Sequence, residues 1–150
     1  MISFPDTSFL CAFYRRQYNS PAAAAHFKAM TEALHVSTLL LYEFRQSTRF
    51  QVWLHARDQS KGYPQADCDR ALADLQTDLD SGAVVVATPD WADVHRLAET
   101  LSKRHTVSGG HRGFDVLHVA TALHLGAREF LTFDANQRKL AAAEKLKVKP

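Results

Sequence analysis

The sequence predicts an α/β fold, a three-layer α/β/α sandwich around a parallel sheet of four or five strands. Three observations lead there. Short apolar or aromatic segments alternate with longer stretches of helical periodicity along the whole chain. One segment, AVVVA at 83–87, is apolar throughout, as in a strand covered on both faces. And the run Val116, Leu117, Val119, Ala120, Ala122, Leu123, Leu125 is apolar on nearly every side, which describes a helix held between other layers.

In chain order, Ile2 to Pro5 reads as a first strand leading directly into Asp6-Thr7-Ser8, a turn and helix-cap signal. A helix from Phe9 to Tyr18 follows, with Phe9, Leu10, Phe13 and Tyr14 available to a core. Ser20-Pro21 marks a second start, since serine caps and proline fits the first helical position, and the helix Ala22 to Ala33 follows. Leu34 to Val36 is a short second strand. Ser37 or Thr38 caps a long helix from Leu39 to about Arg57 with Glu43 in its second turn. Helical side chains lean toward the N-terminus, so Glu43 reaches back toward the strand ends.

Asp58 to Gln65, with Gly62 and Pro64, is a loop. Cys68, Leu72, Leu75 and Leu79 then form the inner stripe of a helix whose outer face carries Asp67, Asp74 and Asp78, ended by Gly82. After the strand Ala83 to Ala87, Thr88-Pro89 starts another helix with Trp91, Val94, Leu97 and Leu101 inward. Thr106 to Gly113 reads as a flexible connection. The apolar helix opened by Asp115 stops at Gly126, and Glu129 to Phe133 is a strand closed by Asp134. A helical pattern through Leu140 follows, and Leu146 to Val148 adds an edge strand protected by lysines.

At 150 residues, 46% hydrophobic and 23% charged, the chain is read as one soluble domain over 1–150. No apolar run approaches the ~18 residues of a membrane span, and Asp6 interrupts what would be a signal peptide, so a cytoplasmic protein is expected. Cys11 and Cys68 lack CxxC spacing and are expected to be buried free thiols. The net charge is +2; setting aside Asp6, Glu43, Asp115 and Asp134 leaves an excess of six basic side chains. A basic body around an acidic pocket suits a phosphate-bearing polymer held over bound cations.

If the strands run parallel, Asp6, Asp115 and Asp134 lie at their carboxyl edge, where open α/β sheets bind ligands, and Glu43 reaches the same edge. Clustered carboxylates raise one another's pKa unless a cation joins them. Oxygen-only ligands favour Mg²⁺ or Mn²⁺, ions that activate water and stabilise a leaving oxygen in phosphodiester hydrolysis. Each of Asp6, Asp115 and Asp134, taken singly, is more readily read as a helix cap; convergence is what sets them apart. Thr7 and Ser8 would support the site. Arg112 and His118 are substrate-contact candidates, although His118, one helical turn from Asp115, is also read as a hydrogen-bonded, semi-buried side chain. The eight histidines show no zinc spacing.

The segments PDTS after the first strand, LLLYEF, FDVLHVATAL and FLTFDANQRKLA together resemble the PIN-domain nucleases, most closely the ribonuclease toxins of VapBC-type toxin–antitoxin pairs. The resemblance spans nearly the whole chain. It implies an α/β/α sandwich, one or two Mg²⁺ or Mn²⁺ ions, RNA cleavage, a cognate antitoxin protein and homodimers. It places the family's acidic quartet on Asp6, Glu43, Asp115 and Asp134 and its small hydroxyl on Thr7 or Ser8. The loop 58–65 and the Gly109-Gly110-His111 stretch look longer than such a fold requires. Two other readings compete: a non-catalytic RNA- or protein-binding module of the same fold, and a receiver-like phosphoacceptor domain, which AVVVATPD suits poorly because its only acid, Asp90, lies beyond a proline.

Overall fold

The computed structural model describes all 150 residues. Five strands, β1 (Ser3–Pro5), β2 (Leu34–Val36), β3 (Val84–Val86), β4 (Glu129–Leu131) and β5 (Lys147–Lys149), form one sheet in the order β3-β2-β1-β4-β5. Every neighbouring pair is parallel, with Phe4 opposite Phe130 and Pro5 opposite Leu131 at the centre. From β1 the chain steps outward to β2 and β3, then returns across β1 to β4 and β5. Right-handed crossovers therefore put the first helices on one face and the later ones on the other. The helices pack accordingly: α1 (Thr7–Tyr14), α2 (Ser20–Ala29), α3 (Thr38–Arg57) and α4 (Gln65–Ser81) against one another, and α5 (Trp91–Gly109), α6 (Gly113–His124) and α7 (Ala135–Ala143) likewise. The sheet's topological switch point lies between β1 and β4.

One hydrophobic cluster runs through all three layers. Phe4 and Phe130 stack at 6.5 Å between ring centroids inside the sheet, and Phe9 stacks on Phe133 at 6.0 Å over its carboxyl edge. The apolar run of α6 is buried as expected at Val116, Val119, Ala120 and Ala122. Both cysteines are free and buried. No helix is long and apolar enough to cross a membrane.

Several local expectations are corrected. Helix α1 stops at Tyr14, where Arg15 turns extended, rather than at Tyr18. Helix α2 begins at Ser20 with Asn19 before it; the Ser20 hydroxyl accepts from the amide of Gln17 and donates to the carbonyl of Arg15, so it fixes the preceding turn instead of capping. Asp90, not Thr88-Pro89, starts α5, accepting from the amides of Ala92 and Asp93. That helix persists to Gly109, so much of the supposed flexible connection is helical and only Gly110 to Arg112 joins it to α6. On α4, Asp78 is not on the outer face but accepts from the Tyr14 hydroxyl at 2.7 Å. β3 is an edge strand with Val85 and Val86 half exposed, because the return to β1 leaves its outer side without a neighbour.

Candidate active site

Each strand end delivers its acid by local geometry. Asp6 follows β1 and caps α1, its Oδ1 accepting from the amide of Phe9 at 3.1 Å. Asp134 follows β4 and caps α7, where Oδ1 accepts from the amides of Asn136 and Gln137, both at 2.8 Å. The two acids thus flank the switch point. Asp115 lies in the first turn of α6 and Glu43 in the second turn of α3, whose cap is Ser37. All four carboxylates line one open cleft of about 280 Å³, together with Thr7, Ser8, Cys11, Arg15, Gln17 and Arg112.

Asp6 is 4% exposed. Ser8 donates to its Oδ1 at 2.6 Å and Thr132 to its Oδ2 at 2.5 Å, while the Ser8 oxygen also accepts the amide of Phe133 at 2.9 Å. A carboxylate offers about four acceptor positions, so one on Oδ2 remains for a ligand. Burial pushes the Asp6 carboxyl up to about 6, and the hydrogen bonds from Ser8, Thr132 and Phe9 only partly oppose it. Glu43 behaves oppositely. Burial pulls it upward, but hydrogen bonds from His118 and Thr7 outweigh that and hold it below the usual range. Burial also lifts the Cys11 thiol to about 11, which leaves it neutral and inert at the cleft wall.

Of the residues singled out from sequence, Asp6, Glu43, Asp115, Asp134, Thr7, Ser8 and Arg112 are brought together. Arg112 is exposed, its Nε 3.3 Å from Asp115 Oδ2. His118 is fully buried behind Glu43, Nε2 lying 3.4 Å from Oε2, and so presents no surface to a substrate. Sequence reasoning missed Thr132, whose only signal is a hydroxyl two residues before Asp134. It also missed Gln137, which is buried and donates to the Asp115 carbonyl at 3.1 Å, and Arg15, hidden inside an overextended helix.

The donors are all hard oxygens, yet no three Asp, Glu, His or Cys side chains close on a single point. Hard-oxygen donors of this kind suit Mg²⁺ or Mn²⁺. Asp6, with an acceptor position left on Oδ2, and Asp115 could hold such an ion, with Glu43 and Asp134 direct or through water.

The sequence model of the PIN domain matches residues 3–143. No protein of curated function matches the chain in sequence. Among solved structures, VapC20 of Mycobacterium tuberculosis, described as a toxin cleaving the sarcin–ricin loop, superposes with TM-score 0.66 at 21% identity over 99% of both chains. VapBC2 of Rickettsia felis, bound to a DNA fragment from its promoter, gives 0.68 at 11% identity over 99% of this chain and 98% of that one. VapBC-1 of nontypeable Haemophilus influenzae gives 0.66 at 14% over 99% and 97%. At these identities the structures share a fold. The family match, by contrast, takes in the central strands and all four carboxylates, and on it the chain belongs to the PIN domain family.

Proposed function

We propose that residues 1–150 act as one nuclease domain that hydrolyses RNA phosphodiester bonds with Mg²⁺ or Mn²⁺, as the toxin of a type II toxin–antitoxin pair in the cytoplasm. The observation behind this reading is the meeting of Asp6, Glu43, Asp115 and Asp134, from four separate segments, in one open cleft. The fold shared with VapC toxins supports it.

A bound Mg²⁺ or Mn²⁺ would acidify water and offset charge on the phosphate. Asp6 and Asp115 would hold it, with Glu43 and Asp134 direct or through water. Ser8 and Thr132 fix both Asp6 oxygens, so its remaining acceptor position has a set direction. Thr7 and His118 keep Glu43 ionised and oriented to accept a hydrogen bond from the attacking water. Asp134 holds its helix with Oδ1 and leaves Oδ2 without a hydrogen-bond partner in a residue that lines the cleft. Arg112 is free to swing from Asp115 to a phosphate.

An antitoxin, encoded beside this chain, would place a basic side chain in the acidic cleft and displace the metal. The apolar groove formed by Leu39, Tyr42, Trp91, Phe114 and Leu117 beside the cleft supports pairing of two copies. The deciding experiment incubates the protein with total RNA in Mg²⁺ or Mn²⁺ and in EDTA. Metal-dependent cleavage that Asp115→Asn abolishes is expected. RNA binding without cleavage under any metal would instead make this a binding module.

A further inference from the structure

We propose that Arg15 is a phosphate subsite of the cleft, engaging a backbone phosphate next to the scissile one. The inference rests on the nuclease reading above, which supplies RNA as the ligand.

Among the ten cleft-lining residues only Arg15 and Arg112 are cationic, facing four carboxylates. They differ in kind. Arg112 is exposed and tied to Asp115. Arg15 has no acidic partner; its contacts are the Ser47 hydroxyl, 3.4 Å from Nη1, and the Tyr63 ring, 5.9 Å from the guanidinium. Its Nε is buried and without any hydrogen-bond partner. With Nε turned inward and one Nη1 proton on Ser47, the Nη1–Nη2 edge keeps donors without a carboxylate partner at the wall of the cleft, and a guanidinium edge of that kind pairs bidentately with an oxyanion such as phosphate.

Arg15 is also held in place by its surroundings. The chain leaves α1 there in an extended conformation, and the Ser20 hydroxyl takes up the Arg15 carbonyl at 2.8 Å. The Tyr63 hydroxyl donates to the next carbonyl, of Arg16, at 2.6 Å. Tyr63 belongs to the loop that looked too long in the sequence. That loop is pressed onto α3: a Cβ at Gly62, where φ is +63°, would stand 2.0 Å from the Gln51 carbonyl oxygen, and the Tyr63 amide donates to that oxygen at 3.2 Å. The loop thereby buttresses the Arg15–Arg16 segment. Beyond it Arg15 also lines a second, smaller depression with Arg16, Tyr63, Asp67 and Arg70, where Asp67 pairs with Arg70 and leaves Arg15 without an acid. A strand crossing the metal would pass over Arg15 with its flanking phosphate.

The test measures anisotropy of a labelled RNA oligomer with Ca²⁺ in place of Mg²⁺, over a salt series, beside cleavage kinetics in Mg²⁺ or Mn²⁺. Arg15→Gln is compared with Arg128→Gln, which removes the same charge just before β4, at the opposite edge of the sheet. Arg15→Gln should weaken binding about ten- to a hundredfold, lower the log–log salt slope by about 0.7, and raise KM far more than it lowers kcat. Arg15→Lys should restore the slope but not the full affinity. Should Arg15→Gln not fold, Arg15→Lys decides: a raised Kd at wild-type slope supports the subsite, and an unchanged Kd overturns it. Wild-type cleavage with Arg15→Gln indistinguishable from Arg128→Gln sinks the subsite and leaves the nuclease. Oligomer binding that depends on Arg15 without cleavage in any metal sinks the nuclease and leaves the subsite.

Discussion

Thr132 donates its hydroxyl proton to Asp6 Oδ2 at 2.5 Å, so the end of β4 holds the acid at the end of β1 across the switch point of the sheet. The Thr132 hydroxyl oxygen in turn accepts the amide of Asp134 at 3.0 Å. One side chain therefore sets the positions of two carboxylates.

Thr132→Val keeps the shape and removes both bonds. It leaves the half-buried Asp134 amide unpaired and should cost about 1–3 kcal/mol of stability. It also deletes one of the interactions that lower the Asp6 carboxyl, so the acid limb of the cleavage profile should move to higher pH. Denaturant unfolding and a pH–rate series test the two effects. A stability loss with an unmoved acid limb would mean that Thr132 only braces the backbone.

Asp6 makes stability depend on pH in the metal-free protein. Its folded value, about 6, lies above the ordinary 3.8 because burial outweighs its hydrogen bonds. The folded state thus binds this proton more tightly than the unfolded chain. The group's contribution is full below about pH 4 and is lost as pH rises through about 6. Asp6→Asn, neutral throughout, should escape that loss, gaining up to about 3 kcal/mol relative to wild type between pH 4 and 7. Unfolding in EDTA across this range measures it; parallel curves for the two proteins would assign any decline to other groups.

Divalent ions should reverse the penalty. At a hundredfold excess over Kd an ion that binds only the folded state stabilises it by about 2.7 kcal/mol. Mn²⁺ should therefore raise the melting temperature of the wild type and leave that of Asp115→Asn nearly unchanged. Equal shifts in both would place the ion away from Asp115.

Much of this was legible in the sequence because it depends on local chemistry. Caps at Asp6, Ser37 and Asp134 mark helix starts after apolar strands, and the uniform apolarity of α6 reports a helix between layers. What depended on tertiary placement was not legible. AVVVA has the composition of a central strand but lies at an edge, because strand order is set by which way each crossover turns. Arg15 was invisible since helix α1 ends four residues before its apolar pattern would, and Thr132 since nothing local says which strand its hydroxyl faces.

His118 offers a separation of positioning from packing. It is fully buried, contacts Glu43 through Nε2, and leaves Nδ1 without a partner. His118→Leu removes an unsatisfied polar atom along with the useful one, so stability should change by less than about 1.5 kcal/mol. Glu43, which reaches the cleft, should lose orientation and titrate higher. The expected result is kcat reduced about tenfold with an acid limb moved upward and KM little changed. A variant as active as wild type would confine His118 to the core.

Asp134 caps α7 with one oxygen, the proposed function gives the other a role in the cleft, and substitution can divide the two. Oδ1 caps α7 through the amides of Asn136 and Gln137, whereas no hydrogen bond engages Oδ2. Asparagine caps about as well as aspartate, so Asp134→Asn should hold the melting temperature within a degree or two, while Asp134→Ala should cost about 1 kcal/mol. Both remove the charged oxygen facing the cleft, so both should lose cleavage to a similar extent despite their different stabilities. The comparison is made on matched preparations at limiting Mg²⁺ or Mn²⁺, where loss of a water-held or direct ligand is most visible. If Asp134→Asn cleaves like wild type and only Asp134→Ala falters, the cap is the whole role of Asp134, and the site reduces to Asp6, Glu43 and Asp115.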